Sequence, residues 1–472
     1  MKESEERRCA WEDFGGAELG DVRRTQRLVA MATMAHRRPA GRVLQVFETS
    51  AERQGAYDFL GNPTCQPEAV TEALGASTAR RCAEHAFVFV SIDGSSLSLI
   101  DRTGKKGFGR VGSTKEGGRG LKVVTAFAID PDGTPIGVLD QQWWARRSGK
   151  KRYDCHARSV GEKETKHWLE CTRESTRRLG QHAQGARIWF LLDRESDRRH
   201  SLEDLRDRGE TYVVRSSYNR RLDGAEERYL VDELHPLAPL HEYVLEVSAG
   251  PMRTARKARM VVRTTRVQIR LRDRKRSKTQ PFDVTVVEAR EEGTTPRGEQ
   301  PIVWRLLTNY EVSTPEDADR VIEAYAQRWC IESFHKTWKT GARNIEDSHL
   351  RAKNPMVKWA TLMAAVAARI ERLKVLARDE PELPADRELT KYELGALLTL
   401  KRANKKRTEA IPDSVPTLGQ AIYWLAELGG YTGKSSGGPP GSITIRRGLE
   451  YIAPAARLLK QLEQQGALKK LR

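Results

Sequence analysis

Three carboxylates stand out by their positions. Asp93 follows the apolar run "AFVFVSI", Asp193 follows "ARIWFLL", and Glu332 lies in "YAQRWCIESFHKTWKTG", where Tyr325, Arg328, Glu332 and Lys339 are spaced by roughly whole helical turns. At about 100° per residue these four fall within about 60° of one another, as one polar stripe on a helix. Taken singly, an aspartate at a strand end is more often a cap or a turn residue. Taken together, the three acids form a set of hard oxygen donors suited to two Mg²⁺ ions, as in-line phosphoryl transfer requires. Arg328 and Lys339 would then neutralise or position phosphates, and Tyr325 would donate a hydrogen bond to one.

The local signals predict a single helix for the whole stripe. Thr314 caps its start, Pro315 fits the first turn, Glu316 and Asp317 suit its positive end, and Gly341 suits a C-terminal stop. The aspartates belong to strands. Asp93 is expected to enter a Gly-Ser-Ser turn, and "KVVTAFAIDPDGTPIGVLDQQWW" reads as two strands around Pro-Asp-Gly. A helical stretch near 160–180 precedes the Asp193 strand, which the helix "SLEDLRDRG" and the strand "TYVVRSS" follow. Strands alternating with helices imply an α/β core, and acids at strand ends in such a core lie at the sheet edge, where sites commonly form.

Regions of different texture flank this core. In residues 1–75 a helix starting at Asp21 would gather Leu28, Met31, Ala32 and Ala35 on one face, with Arg23, Arg24 and Arg27 elsewhere. That pattern suits a small helical DNA-binding domain, and equally a solvated amphipathic helix. Between about 215 and 310 the chain turns to β alternation. From Pro251 to Gln280 twelve Lys or Arg stand against one acid, Asp273, so one sheet face is expected to be apolar and the other basic enough to contact phosphates. Residues 376–472 read as helical, with a Pro-rich basic stretch and then two amphipathic helices separated by "GKSSGGPPGS".

Composition bounds the partners. There are 82 Lys and Arg against 64 Asp and Glu, a formal charge of +18, and a pI near 9.7, all pointing to a polyanion with nucleic acid foremost. "MKESEERRCAWEDF" lacks the apolar core of a signal peptide, and "WATLMAAVAA" is too short to span a bilayer, so a soluble, cytoplasmic protein is expected. Six scattered cysteines with no C-x-x-C pair indicate neither a disulfide framework nor a zinc site, and Cys155 beside His156 reads as accidental.

Tyr325-x2-Arg328-x3-Glu332-x6-Lys339 resembles the Tyr-Arg-Glu-Lys signature of the IS-four family of bacterial insertion-sequence transposases. The resemblance extends to "IDGSSLS", "LDQQWWAR", "LLDRESD", "LGDVRRTQRL" and "GAYDFLGNP", and so covers nearly the whole chain. It implies an α/β, ribonuclease-H-like (retroviral-integrase-like) catalytic core over residues 76–375 with a β-rich insertion at about 215–310. Helical domains would flank the core, one binding DNA (1–75) and one mediating dimerisation (376–472). It also implies an Asp93, Asp193, Glu332 triad holding two Mg²⁺, with Mn²⁺ able to substitute. The partners would be double-stranded DNA, as terminal inverted repeats and as target, and a second copy of the chain in a synaptic complex, with no membrane. Water would nick one strand, the freed 3′-hydroxyl would form a hairpin on the opposite strand, and the reopened ends would attack target DNA.

On its own Trp304 reads as a core residue. The resemblance gives it a base flipped from the hairpin to stack on, consistent with aromatic platforms for unstacked bases. It also makes Arg215, Lys336, Arg27, Arg37 and Arg38 DNA contacts, with His335 structural or DNA-side rather than a metal ligand. Asp58 stands where the family pattern has a basic residue and Gly94 where it has threonine, so end-sequence recognition is not expected to transfer. Two other readings share these residues: a metal-dependent nuclease without strand transfer, and a non-catalytic DNA-binding regulator.

Overall fold

Runs of apolar residues flanked by helices assemble here into one mixed sheet. The computed structural model describes residues 5–112, 117–146, 160–224, 228–250, 253–273, 278–339, 345–405, 411–433 and 438–466. Gly341 and the Cys155-His156 pair lie outside them. Five helices come first: α1 (Glu5–Phe14), α2 (Val22–Arg37), α3 (Val43–Val46), α4 (Ser50–Gly61) and α5 (Pro67–Cys82). The strands β1 (Phe87–Ser98), β2 (Gly109–Arg110), β3 (Arg119–Ile129) and β4 (Pro135–Trp144) follow. Next come α6 (Lys166–His182), β5 (Arg187–Leu192), α7 (Arg199–Asp207), β6 (Thr211–Arg215) and α8 (Leu230–Leu234). The long strands β7 (His241–Val247), β8 (Arg256–Asp273) and β9 (Lys278–Glu291) precede β10 (Val303–Thr308). The chain ends in helices α9 (Pro315–Gln327), α10 (Trp329–Lys339), α11 (Lys353–Asp379), α12 (Lys391–Ala403), α13 (Leu418–Leu428) and α14 (Ser442–Gln464).

Side-chain caps set many of the helix starts. Asp21 accepts the Arg23 amide at 2.8 Å to open α2, where Leu28, Met31, Ala32 and Ala35 are buried as their spacing predicts. Capping boxes open α4 (Thr49, Glu52), α9 (Thr314, Asp317), α12 (Thr390, Glu393) and α13 (Thr417, Gln420). Each satisfies backbone N–H groups that the first turn leaves unpaired.

The sheet order is β2-β3-β1-β5-β6-β10-β9-β8-β7, with β4 on the other side of β3. β1, β3 and β4 pair antiparallel, β5 and β6 join in parallel, and β10 and β9 continue antiparallel. The β-rich stretch therefore extends the core sheet through β10. Alternate β1 residues serve two cores. Val88, Val90 and Ile92 pack with Trp168, Leu179, Leu202 and Leu205 of α6 and α7, while Phe89 and Leu97 join the core of Val321, Phe334 and Trp359 from α9, α10 and α11. Burial on both faces accounts for the unbroken apolar runs.

Three expectations change. The Gly-Ser-Ser turn is absent: β1 continues to Ser98 in register with β3, and Gly94 is needed for space, since a Cβ there would lie 2.7 Å from Trp168. The predicted single helix is two, because Arg328 closes a tight turn in which its amide bonds to the Tyr325 carbonyl at 3.1 Å. The cations of β8 are divided between the two faces of the strand rather than gathered on one, and most are paired, while Arg274, Lys275 and Arg276 of the expected basic stretch lie outside the described residues. Arg256 pairs with Glu291 and Glu299, Lys257 with Glu246, Arg259 with Glu242, Arg263 with Glu292, and Arg270 with Asp223. Acids from neighbouring strands and loops supply the charge that the local sequence lacks. Among the described residues no helix is long and apolar enough to cross a membrane, and Cys9, Cys65, Cys82, Cys171 and Cys330 are free thiols.

Candidate active site

Register brings the two aspartates side by side. In the parallel pair β1–β5, Ile92 faces Leu192, so Asp93 and Asp193 occupy adjacent positions on neighbouring strands. Asp193 ends its strand and also caps the next turn, accepting the Glu195 amide at 2.8 Å. Asp93 lies within β1, opposite Thr125 of β3. Burial, followed by the neighbouring charge of Asp93, pushes the Asp193 carboxyl up to about 6, against the Glu195 amide and Arg328. Two half-buried carboxylates repelling one another in this way form a site that favours a cation.

At the α9–α10 junction the charge of Arg328 acts on both aspartates. Arg328, 7% exposed, forms an ion pair with Glu332 and places its guanidinium 5.7 Å from the Tyr325 ring and 5.6 Å from the Trp329 ring. Tyr325 is 1% exposed, so the anticipated polar stripe is mostly interior at this end. Trp304 of β10, half-buried, meets the Tyr325 ring edge-on at 5.5 Å. Arg215, at the end of β6, donates to the Val303 carbonyl at 3.1 Å, and burial holds its pKa below the usual arginine value. Lys339 donates to Ser95 Oγ at 2.8 Å, two residues along β1 from Asp93 and on the same face. Lys336 is exposed on α10.

The N-terminal arginines belong to another group. Arg27 is exposed on α2 against Gly55 of α4, where a Cβ would lie 2.9 Å from its guanidinium. Arg37 is half-buried at the end of α2, and Arg38 donates to Glu48 at 3.2 Å. Glu48 is shared with Arg457 of α14 at 2.5 Å. Asp58 is exposed and accepts from Gln54 at 2.8 Å.

The sequence reading missed the partner of Asp93. His335 is 5% exposed and sits with Nδ1 3.5 Å from the Asp93 carboxylate and Nε2 3.3 Å from Thr125 Oγ1. Its position three residues after Glu332, one helical turn on, was the available signal.

Adjacent aspartates on neighbouring strands, with an arginine at a helix junction acting on them and a glutamate held by that arginine, are groups suited to metal-dependent phosphoryl transfer. The family models agree. Residues 7–65 match the model described as transposase DNA-binding, and residues 128–368, just over half the chain, match the transposase DDE domain. The chain belongs to the DDE transposases of insertion sequences, with a ribonuclease-H-like core, DNA as a partner and a dependence on divalent metal. Asp193 and Glu332 fall inside the matched range, and Asp93 precedes it.

The donors fit such a metal by their chemistry: all are carboxylate oxygens, and the raised Asp193 pKa marks negative charge that a cation would relieve. Among the described residues no three His, Cys, Asp or Glu are gathered as a ligand cage. Glu332 is engaged by Arg328, which supplies the local positive charge.

Proposed function

We propose that this enzyme carries out cut-and-paste transposition: 3′-strand nicking at terminal inverted repeats, hairpin formation and opening, then strand transfer to target DNA. The observation that carries this reading is the adjacency of Asp93 and Asp193 in the β1–β5 register, with Glu332 and Arg328 at the α9–α10 junction. Asp93, Asp193 and Glu332 would hold Mg²⁺, in two sites, with Mn²⁺ as a substitute. A divalent ion held there would supply the lowered pKa of an attacking water or 3′-hydroxyl and the stabilisation of the leaving oxygen.

The chain's own groups have separate tasks in this reading. His335 orients Asp93 from inside the core. Arg328 would turn its charge to the scissile phosphate when Glu332 joins the ligands, and Lys336, Lys339 and Arg215 hold flanking phosphates, while Tyr325, buried, backs Arg328 and Trp304 from inside rather than meeting a phosphate itself. Trp304, half-buried and backed by Tyr325, offers a face to a base unstacked at the hairpin. Arg27, Arg37 and Arg38 contact the end DNA from residues 1–75, residues 76–375 do the chemistry, and residues 376–472 join two copies across the synapsed ends.

The test incubates purified protein with its flanking genomic DNA, bearing the terminal repeats, and a supercoiled target plasmid, in Mg²⁺, Mn²⁺ or EDTA. Metal-dependent joining of the repeats' 3′ ends to the plasmid is the expected result. Cutting without joining would leave a nuclease, and metal-independent binding without cutting would leave a regulator.

A further inference from the structure

The helix that bears Glu332 has a second polar face. Ser333 and Thr337 lie roughly 100° to 140° around α10 from Glu332, a face usually filled by apolar residues when a helix packs inward. Both hydroxyls converge on Glu371 of α11, which is 2% exposed. Ser333 Oγ donates to Glu371 Oε2 at 2.7 Å, Thr337 Oγ1 donates to Oε1, and Ser442 Oγ donates to Oε1 at 2.6 Å. Lys374 donates to Oε2 and, at 2.7 Å, to Ser333 Oγ.

Four donors match the four acceptor sites of one carboxylate, so this buried charge is fully satisfied. The three hydroxyls come from two segments about a hundred residues apart in the chain. Ser333 adjoins Glu332, Thr337 is one turn further along α10, and Ser442 is the first residue of α14. One carboxylate therefore joins the helix of the candidate triad, the central helix α11 and the C-terminal helix α14.

We propose that Glu371 is a positioning residue for Glu332: its carboxylate fixes the rotation of α10 over the strand ends, and through Ser442 makes that setting depend on the seating of α14. The proposal rests on the reading of Glu332 as a metal ligand. Loss of Ser442 from its place, by movement of α14, removes one of the two donors on Oε1 and loosens the Thr337 side of the node. A small rotation of α10 then carries Glu332 away from Asp93 and Asp193, and an error of about 1 Å in such a group costs about 100-fold in rate.

The test uses the full-length protein and a duplex from one end of its element, with single-turnover nicking, gel-shift affinity, melting temperature and the Mg²⁺ concentration for half-maximal nicking measured together. Glu371→Gln should nick about 100-fold more slowly. Ser442→Ala should lose about 10-fold, the low end of the effect of one hydrogen bond to a charged group. Both should need more Mg²⁺, with DNA affinity unchanged, and Ser442→Thr, which keeps the hydroxyl, should restore rate and metal requirement. Should Glu371→Gln fail to fold, Ser442→Ala and Thr337→Val carry the test. Parental nicking and Mg²⁺ requirement in these variants, beside an inactive Glu332→Gln, would overturn the positioning role alone. Parallel losses of melting temperature, affinity and rate at constant Mg²⁺ requirement would reduce Glu371 to a structural role. Parental nicking by Glu332→Gln would remove the reading of Glu332 and this proposal with it.

Discussion

The junction of β1 and β5 at Asp93 and Asp193 and the strand β8 carry dense charge of opposite sign, and they treat it oppositely. Along β8 most of the named cations meet a carboxylate, often in bidentate geometry: Arg256 reaches Glu291 through two nitrogens, at 2.7 and 2.8 Å. Where β1 and β5 meet, two acids adjoin, and the cation that acts on Asp193 there, Arg328, is already engaged with Glu332. Charge density is thus a poor guide to a binding surface. Paired charge holds strands in register, whereas like charges kept together at a cost in stability mark a place where a ligand supplies the missing sign.

The largest effect expected from breaking this contrast is at Glu332. Glu332→Gln preserves shape and removes the charge, so nicking should fall by roughly 10³-fold or more while end binding persists. Parental nicking by the variant in a gel assay would refute the triad.

Asp193→Asn relieves the repulsion itself. The raised pKa means that the folded state disfavours the charged form, so Asp193 costs stability above about pH 6 and nothing below the ordinary aspartate range near 4. The metal-free variant should melt about a few degrees above the parent at pH 8, with the gap closing as pH falls from 6 to 4. A variant less stable at pH 8 would contradict this. In the parent, metal must displace a proton below about pH 6, so the Mg²⁺ requirement should rise there.

Trp304→Ala probes the rim of the site rather than its charge. Hairpin formation or opening should drop about 10-fold more than first-strand nicking, since stacking on a base is worth about 1–3 kcal/mol. Equal losses at both steps, resolved on a denaturing gel, would assign Trp304 to the core.

The smallest effects separate paired from available arginines. Arg27→Ala should weaken DNA binding across sequences and lower the salt slope by about 1. Arg259→Ala, taken from its exposed pair with Glu242, should leave both affinity and slope unchanged. A reversal of these two results in salt titrations would move the DNA-facing surface to β8.

Much of this organisation was legible in the chain. Strand and helix types follow from periodicity, and Thr314 with Asp317, or Asp21 with Arg23, announce helix starts because capping is local. What failed was non-local. Gly94 suggests a turn until Trp168, more than seventy residues later, shows why no Cβ fits. The run of arginines on β8 suggests a bare basic face until Glu242, Glu291 and Glu299 arrive from other segments.

By itself the sequence determined which residues are available for chemistry: hard carboxylates at the ends of apolar runs, arginine and tyrosine one turn apart, and a basic excess suited to DNA. Only the tertiary structure decided how they are used. It set Asp93 beside Asp193 through the β1–β5 register, broke the helix at Arg328, gave Asp93 its histidine, and buried Glu371 among hydroxyls from α10 and α14. The reason is physical: helical and strand periods are fixed by neighbours a few residues away. The partner of a buried charge is fixed by whichever segment packing brings within hydrogen-bonding distance.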